Sequence, residues 1–271
     1  MSALTFVMKQ RLDQRVDMSP LVCNLLEGLT PAEIAKIELQ NGKRKIRVDE
    51  LFRIKGSDAQ NIIIEGSFSK LDFIGKQLDG GSITVMGDVG AYLGQEMKAG
   101  TIKVDGNTGI YAACEMKNGY LEIKGNAGDF LAAALPGNKQ GMKGGTVLIK
   151  GNVGERAGDH MRRGVLLIEG DVGDYCGSRM IAGTIAVMGT TGRYLGYAMR
   201  RGTLLLWNQP QLSATFNDCG IHTLAFLPIL FASFKKLNSK FSQDGARFNR
   251  VQRYGGDMAE MGRGEVLVKS S

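Results

Sequence analysis

The chain has 271 residues and a formal net charge of +7, and its 38 glycines against 5 prolines are unusual. The low proline content excludes a collagen-like or flexible linker and favours ordered turns. The four cysteines stand apart, which excludes a disulfide framework or a metal site of familiar spacing and indicates a reducing cytoplasm. Aromatic residues are too sparse to indicate nucleic-acid binding, and the longest apolar run, 223–234, is too short for a bilayer.

Residues 1–45 predict a small N-terminal cap. "LTFVMKQ" is typical of a strand, and "SPLVCNLLEGL" and "TPAEIAKIEL" are typical of short helices. Thr30, Pro31 and Glu33 form a capping box with proline at the first helical position. Weaker coils at "KIRV" and "NIIIEG" lead into a regular array, whose open edge such a cap would cover.

Residues 46–208 contain an internal repeat. Each unit reads G-x-x-M-x-x-G-x-[ILV]-x-[ILV]-x-G, and the second glycine recurs every 19 residues, apart from one insertion of seven in "LAAALPGNKQGM". A fixed short period with an alternating apolar pair indicates a solenoid, and no unit has room for a helix. The repeat therefore predicts an all-β fold, a parallel β-helix of about seven to eight coils.

Two sets of side chains are predicted to fill the interior of these coils. Alternate strand residues share a face, so the apolar pairs point inward: Ile83/Val85, Ile102/Val104, Leu121/Ile123, Val147/Ile149, Leu166/Ile168, Ile185/Val187 and Leu204/Leu206. One methionine per coil is interpreted as core filling rather than a soft-metal site: Met97, Met116, Met142, Met161, Met180 and Met199.

The recurrent glycines are predicted to lie at the corners of the coils. A corner needs a positive φ or close backbone approach, which a Cβ would obstruct. These glycines open no helix, so they do not indicate a nucleotide site. The corner set is Gly87, Gly90, Gly106, Gly109, Gly125, Gly128, Gly151, Gly154, Gly170, Gly173, Gly189 and Gly192.

After the repeat, residues 209–255 predict a helical excursion and 256–271 a final coil. A helix is expected near "HTLAFLPILFASFKKL", bent at Pro228. "MAEMGRGEVLVK" restores the block spacing of the repeat. The residue between each inward pair points outward, and along the array these outward residues change from polar to apolar. The apolar stripe that they form is predicted to be covered by the excursion or by another subunit, and the excursion is favoured. The outward residues are Thr84, Lys103, Glu122, Leu148, Leu167, Ala186 and Leu205.

A search for catalytic residues assigns none, and no metal ligands. Neither His160 nor His222 has a metal-binding spacing, and His160 is expected to be a solvated or interface residue. Asp88, Asp171 and Glu155 are expected at scattered corners.

Basic residues concentrate at the later corners of the repeat. They form either a solvated rim or an interface for carboxylate-bearing partners or ligands. The candidate interface residues are Arg162, Arg163, Arg200 and Arg201, with Arg156, Arg179 and Arg193 around them.

The repeated blocks, the cap and the excursion ending in "MGRGEVLVK" resemble the C subunit of formylmethanofuran dehydrogenase. They resemble equally the C subunit of its bacterial relative, the formyltransferase/hydrolase complex of methylotrophs. The segments "MSAL" and "TPAEIAKIEL" favour the bacterial complex. The coils alone are similar to the C-terminal domain of the glutamate synthase large subunit, a right-handed β-helix. The resemblance therefore implies a right-handed parallel β-helix here.

The resemblance also implies a function. It implies a non-catalytic, cytoplasmic scaffold subunit in formyl-methanofuran/tetrahydromethanopterin one-carbon metabolism, whose partners are the other subunits rather than nucleic acid or membrane. Those partners would carry a molybdenum or tungsten pterin and iron–sulfur clusters, or zinc, or use a methanofuran-like cofactor, with no cofactor in this chain. Two alternatives remain: a glutamate-synthase-like structural domain serving an amidotransferase, and a stand-alone carbohydrate-active β-helix.

Overall fold

The computed structural model describes residues 2–244 and 248–270. The first elements, up to the start of the repeat, are β1 Ala3–Met8, β2 Val16–Asp17, α1 Cys23–Leu26, α2 Pro31–Ile34, β3 Glu38–Asn41, β4 Arg44–Arg47, α3 Val48–Leu51, β5 Phe52–Lys55, β6 Asp58–Ser67 and β7 Leu71–Asp72. The repeat supplies β8 Asp79–Gly87, β9 Ala99–Val104, β10 Tyr120–Ile123, β11 Lys143–Ile149, β12 Arg163–Ile168, β13 Thr184–Val187 and β14 Arg201–Leu206. The remaining elements are β15 Asn217–Thr223, α4 Phe226–Phe234, α5 Phe241–Asp244, β16 Arg250–Gly256 and β17 Arg263–Lys269.

Most strands belong to one mixed sheet of 13 strands, in the order β15-β16-β17-β14-β13-β12-β11-β10-β9-β8-β6-β1-β5. Within this order, the strands from β1 through β6 and β8–β14 to β17 run parallel to their neighbours. At the two ends of the sheet the pairing is antiparallel: β5 pairs with β1, β16 with β17, and β15 with β16. The prediction of an all-β fold is confirmed. The ladder joins equivalent positions of successive repeats, so one repeat adds one strand.

A second parallel column runs beside this sheet. Single bridges connect Val89, Thr108, Ala127, Val153 and Val172 to the equivalent residue one repeat later, ending at Thr191. Each of the first five side chains is buried. The chain therefore returns to the same two columns in every repeat.

The N-terminal segment departs from the prediction in two places. "TPAEIAKIEL" is not one helix, because α2 ends at Ile34 and the buried Leu39 lies in β3, paired with Ile46 of β4. "KIRV" is not a coil, because β4 belongs to a separate four-stranded sheet, β4-β3-β2-β7. The capping box is confirmed: the Glu33 backbone N–H donates to Thr30 Oγ1 at 3.3 Å and the Thr30 N–H donates to Glu33 Oε2 at 2.8 Å.

The interior is filled as the alternation predicts. The inward pairs and the six repeat methionines have at most 1% of their surface exposed, and Leu78 occupies the methionine position of the first unit. Met261 is the exception, because 48% of its surface is exposed although it stands in block spacing. Met199 lies against Gly264 of β17 in the same way as each earlier repeat methionine lies against the glycine of the following repeat.

The corner glycines lie one above another in two adjacent columns. A Cβ built on Gly125 would lie 2.7 Å from the carbonyl oxygen of Gly106 in the preceding coil, and Gly106 stands in the same relation to Gly87. Gly151, Gly170 and Gly189 continue this column, and Gly90, Gly109, Gly128, Gly154, Gly173 and Gly192 form the second. Apart from Gly87, none of these twelve has a positive φ, so close backbone approach explains the glycines.

The excursion folds back over the outer face of the later coils. Leu148, Leu167, Ala186 and Leu205 pack in one buried cluster with Leu227, Phe231, Phe234, Phe241, Phe248, Val251 and Leu267. The prediction that the chain covers its own apolar stripe is therefore confirmed. The expected bend at Pro228 is wrong: α4 begins at Phe226, which places Pro228 in the first turn, where its missing N–H costs no hydrogen bond.

Candidate interaction site at the basic corner

Each coil turns sharply at the methionine of its block. The residue before the methionine has a left-handed backbone in most repeats, with φ of 54° at Glu96 and Glu115, 56° at His160 and 53° at Arg179, whereas Gly141 has no positive φ. Non-glycine residues adopt this conformation at a cost, so the packing of the coil holds them there. The side chains at this position and just after the methionine therefore recur at one corner of the array.

In the early coils this corner is electrically balanced. Lys117 Nζ lies 3.5 Å from a carboxylate oxygen of Glu96, and Lys143 Nζ lies 3.9 Å from one of Glu115. In both pairs the lysine that follows the methionine of one coil contacts the glutamate that precedes the methionine of an earlier coil. The column of glutamates before the methionine (the acidic column) and the column of lysines after it (the basic column) thus balance each other's charge.

In the later coils the acidic column becomes basic. His160 and Arg179 stand where Glu96 and Glu115 stood, whereas the position after the methionine remains basic at Arg162. The charge of the corner is therefore no longer balanced, and positive charge accumulates at this end of the array.

The four candidate interface arginines lie at this corner, and all four are exposed. They do not form a continuous ladder, because Ile181 and Ala182 occupy the equivalent positions of the coil between them. Arg200 Nε lies 3.6 Å from Glu260, and Arg201 is in register with Arg263 of β17. The structure thus presents two arginine pairs, Arg162/Arg163 and Arg200/Arg201, with one coil between them.

A buried acid anchors two residues of the corner. The side chain of Asp159 is 5% exposed and accepts hydrogen bonds from Arg179 Nε at 2.9 Å and Nη2 at 2.5 Å, and from Ser178 Oγ at 2.7 Å. His160 Nδ1 lies 3.3 Å from the same carboxylate. A carboxylate taken out of water needs such partners, and in return it orients the guanidinium and the imidazole. Sequence reasoning missed Asp159, because no spacing marks it.

Arg156 and Arg193 lie at a different corner. The guanidinium of Arg156 stacks 4.5 Å above the ring of Tyr175, and Arg193 Nη2 pairs with Asp174 at 2.9 Å. The sequence pattern groups both with the four candidate interface arginines. The structure gives these two arginines partners of their own, Tyr175 and Asp174, so neither joins the two arginine pairs.

That second corner carries aromatic rings that the sequence pattern did not predict. Phe73, Tyr92, Tyr111 and Phe130 stack in successive coils with ring centroids 4.7–5.4 Å apart. The stack is continued by Arg156 over Tyr175, whose centroid lies 4.7 Å from that of Tyr194. The signal was available, because an aromatic residue recurs two positions after the second corner glycine in every repeat except the one with Arg156.

A ladder of Asp and Asn side chains runs beside the first glycine column. A side-chain oxygen of each accepts the backbone N–H of the equivalent residue one coil later at 2.7–2.9 Å. The ladder comprises Asp88, Asn107, Asn126, Asn152 and Asp171, ending at Thr190. The expectation that Asp88 and Asp171 are scattered was wrong, and the bonds from Thr190 lower the pKa of Asp171. These acids satisfy backbone donors rather than form a catalytic pair.

The three buried cysteines are protonated thiols at neutral pH. Burial raises the pKa of Cys23 to about 11 and the pKa values of Cys114 and Cys176 to about 12. Cys219 is exposed. Since the thiolate is both the nucleophile and the metal ligand, the buried three are poor candidates for either role.

We expect Ellman's reagent at pH 8 to titrate a single thiol, Cys219, in the folded chain, and all four cysteines in guanidinium chloride. The physical reason is that burial keeps the reagent away from the other three thiols and disfavours their ionisation to thiolates. A Cys219→Ser variant should abolish the fast reaction. Two or more fast thiols in the native chain would contradict the burial of the cysteines.

No group of three His, Cys, Asp or Glu side chains is placed to hold a metal ion in residues 2–244 and 248–270. Among the described helices, none is both long enough and apolar enough to cross a membrane.

Comparison with known proteins assigns the chain to a family. A family model described as the GXGXG motif matches residues 101–225. One chain of the crystal structure of the formyltransferase/hydrolase complex FhcABCD from Methylorubrum extorquens, in complex with methylofuran, matches with a TM-score of 0.92 and 39% identity. The match covers 98% of this chain and 100% of that one. The curated C subunit of that organism's Fhc complex is 39% identical over 89 residues, 33% of this chain and 34% of the relative.

The chain belongs to the family of C subunits of formyltransferase/hydrolase complexes. A more distant relative is the C subunit of the tungsten-containing formylmethanofuran dehydrogenase 2 of Methanococcus maripaludis, 30% identical over 95 residues, 34% of this chain and 35% of that protein. The alignments with the two curated relatives thus span about a third of each relative's length. The structural match extends over nearly the whole chain, including the N-terminal segment and the excursion.

Proposed function

We propose that this chain is the scaffolding C subunit of a formyltransferase/hydrolase complex that handles formyl groups on a methanofuran-like carrier. The observation that carries the proposal is the match over 98% of the chain at 39% identity to a chain of the FhcABCD complex. A glutamate-synthase-like domain would account for the coils alone, whereas this match includes the excursion. Its extent supports a C subunit of such a complex over a detached repeat domain.

The hydrolytic complex is preferred over the redox dehydrogenase. The curated Fhc relative is 39% identical, against 30% for the tungsten-containing relative over a segment of similar length. We assign no residue of this chain to a metal or pterin. We assign catalysis to the partner subunits and the complex to the cytoplasm.

The proposal includes the winding of the chain into a right-handed parallel β-helix, capped by residues 1–45, running through 46–208, interrupted by the excursion 209–255 and closed by 256–271. Two observations support it. Equivalent residues of successive repeats pair in parallel in the main sheet, and a second column of parallel bridges runs beside it. A rod of this kind presents long, rigid sides against which several subunits can be arranged.

The test of the scaffold role is purification of the tagged chain from its native host. We expect homologues of FhcA, FhcB and FhcD to co-purify at a fixed stoichiometry with formyltransferase and formyl hydrolase activity. The isolated chain is expected to turn over neither reaction. Recovery of an amidotransferase instead, or activity in the highly purified chain alone, would overturn the assignment.

The exposed arginines at the basic corner are proposed to contact those subunits. We expect the double change Arg162→Ala and Arg201→Ala to leave the melting temperature of the free chain nearly unaltered, because exposed charges add about 0.5 kcal/mol or less each. At an interface, losing an arginine that pairs with a carboxylate costs about 2 kcal/mol of association or more. Assembly should therefore weaken by at least about thirtyfold if one of the two arginines makes such a pair, and by more if both do, measured by mass photometry of the reconstituted complex.

The matched control changes two exposed lysines on another side of the coils, Lys103→Ala and Lys124→Ala. This control removes the same net charge, so equal weakening of assembly by both double variants would indicate a general electrostatic effect. Unchanged assembly in the arginine variant would return these residues to a solvated rim. A large fall in its melting temperature would show that they stabilise the chain itself.

A further inference from the structure

The seven-residue insertion and the segment between β16 and β17 meet at one cavity. A cavity of about 630 Å³ opens at the basic corner, within the size range of small-molecule sites. Lys139, from the seven-residue insertion, lines one side, and Glu260, from the segment between β16 and β17, lines another. His160, Arg179 and Arg200 line it from three successive coils. Two segments outside the regular strands of the repeat thus contribute to the lining together with three repeats.

Positive charge predominates in this cavity. Lys139, Arg179 and Arg200 face a single acid of the lining, Glu260, which lies 3.6 Å from Arg200 Nε. In the earlier coils the equivalent corner holds Glu96 and Glu115, each with its own lysine. The cavity is thus built where the acidic column has ended.

The cavity also has a prearranged wall. The buried carboxylate of Asp159 engages Arg179 through Nε and Nη2, which leaves Nη1 uncommitted to that acid on a side chain that is 45% exposed. The same carboxylate holds the ring of His160, whose side chain is 21% exposed. Restraining these side chains in advance lowers the entropic cost of binding a ligand.

We propose that this cavity is a binding site for a small ligand that carries two or more carboxylates. Guanidinium groups pair with planar carboxylates through parallel hydrogen bonds, and Arg179 and Arg200 both line the site. Lys139 supplies a third cation from a separate segment, so a ligand with carboxylates at both ends can bridge them. Tyr197 and Ile181 offer apolar contact to its carbon skeleton. Binding is a property of this chain alone and does not depend on the scaffold proposal.

Calorimetric titration of the full chain with citrate at low ionic strength tests the site. We expect Arg200→Gln and Lys139→Gln each to weaken binding about tenfold, since each removes a charged hydrogen-bond donor. Glu260→Gln should change binding in the opposite direction and tighten it several-fold, because Glu260 is the acid among the described residues of the lining. All three side chains are at the surface, so melting temperatures are expected to stay near that of the wild type.

Two control variants separate the site from the overall charge of the chain. Lys124→Gln removes a surface cation and Glu38→Gln a surface acid, and neither residue is part of the lining of the cavity. Neither should change citrate binding beyond about twofold. Effects of the controls as large as those of the cavity variants would overturn the proposal. Inorganic phosphate serves as a second probe, and tighter binding of phosphate than of citrate would overturn the carboxylate class.

Absence of citrate binding at millimolar concentration would also overturn the proposal. If Arg200→Gln then weakened assembly with the partner proteins, the cavity would belong to the protein interface, and the scaffold function would stand. If citrate bound as expected while no partner protein was recovered with the chain, the ligand site would stand and the scaffold function would fall.

Discussion

Replacing Gly125 by alanine is expected to lower the free energy of unfolding by about 3 kcal/mol or more, because the new Cβ would meet the backbone of the coil beneath it. An ideal Cβ at this position lies 2.7 Å from the carbonyl oxygen of Gly106 and 2.8 Å from its carbonyl carbon. Neither atom can rotate away as a side chain would. The Gly125 N–H also donates to that carbonyl at 3.0 Å, so separation of the coils would lengthen a ladder hydrogen bond.

Gly255→Ala is the matched control for this change. Gly255 also has no positive φ, and a Cβ there would lie 3.5 Å from its nearest neighbour, the sulfur of Cys219, which is ordinary contact. Its effect should stay within about 1 kcal/mol in a urea titration followed by circular dichroism. Equal losses from both variants would mean that chain entropy, rather than contact between coils, explains the corner glycines.

The second large effect is expected in the excursion. Phe231→Ala should reduce stability by about 3–4 kcal/mol, because it removes a 4% exposed ring from the cluster that covers the apolar stripe. The ring contacts Trp207, Phe234 and Phe248, with centroids 5.3–6.1 Å away. Loosening this contact would expose apolar side chains of four coils to water.

Trp207 is the only tryptophan of the chain and contacts the excursion directly, so its fluorescence reports on this packing. We expect the emission of Phe231→Ala to shift to the red at a lower urea concentration than that of the wild type. The control Ile229→Ala lies on the same helix but is 75% exposed, and it should change stability by no more than about 0.5 kcal/mol. If Ile229→Ala matched Phe231→Ala, the inward face of α4 would be wrongly assigned.

The repeat made the buried side chains of the successive strands predictable. Burial of a pair such as Leu166 and Ile168 follows from alternation along a strand, and burial of Met161 follows from its fixed place in the block. The covering of Leu148 and Leu167 was also predictable, since an apolar stripe and an apolar excursion occur in the same chain. Local rules were less reliable at the ends: "TPAEIAKIEL" has helical spacing, yet pairing of Leu39 with Ile46 makes its last part a strand.

The candidate site could be predicted only in part. The arginine pairs were visible because they follow the methionine of their blocks. Asp159 could not be predicted, because its role as an anchor depends on Arg179 of the next repeat, whose Nε lies 2.9 Å from the Asp159 carboxylate. The aromatic stack and the Asp/Asn ladder could have been found by aligning every column of the repeat rather than the glycines, methionines and apolar pairs alone.

The sequence by itself determined the period, the inward side chains and the all-β character of this protein, because a repeat imposes the same local conformation and the same burial on every unit. The tertiary structure alone decided where the irregular segments meet. Lys139 and Glu260 are far apart in the chain and obey no spacing, yet both line one cavity with Arg200. Their meeting depends on the paths of two loops over the corner, which packing against the coils sets and no periodicity encodes.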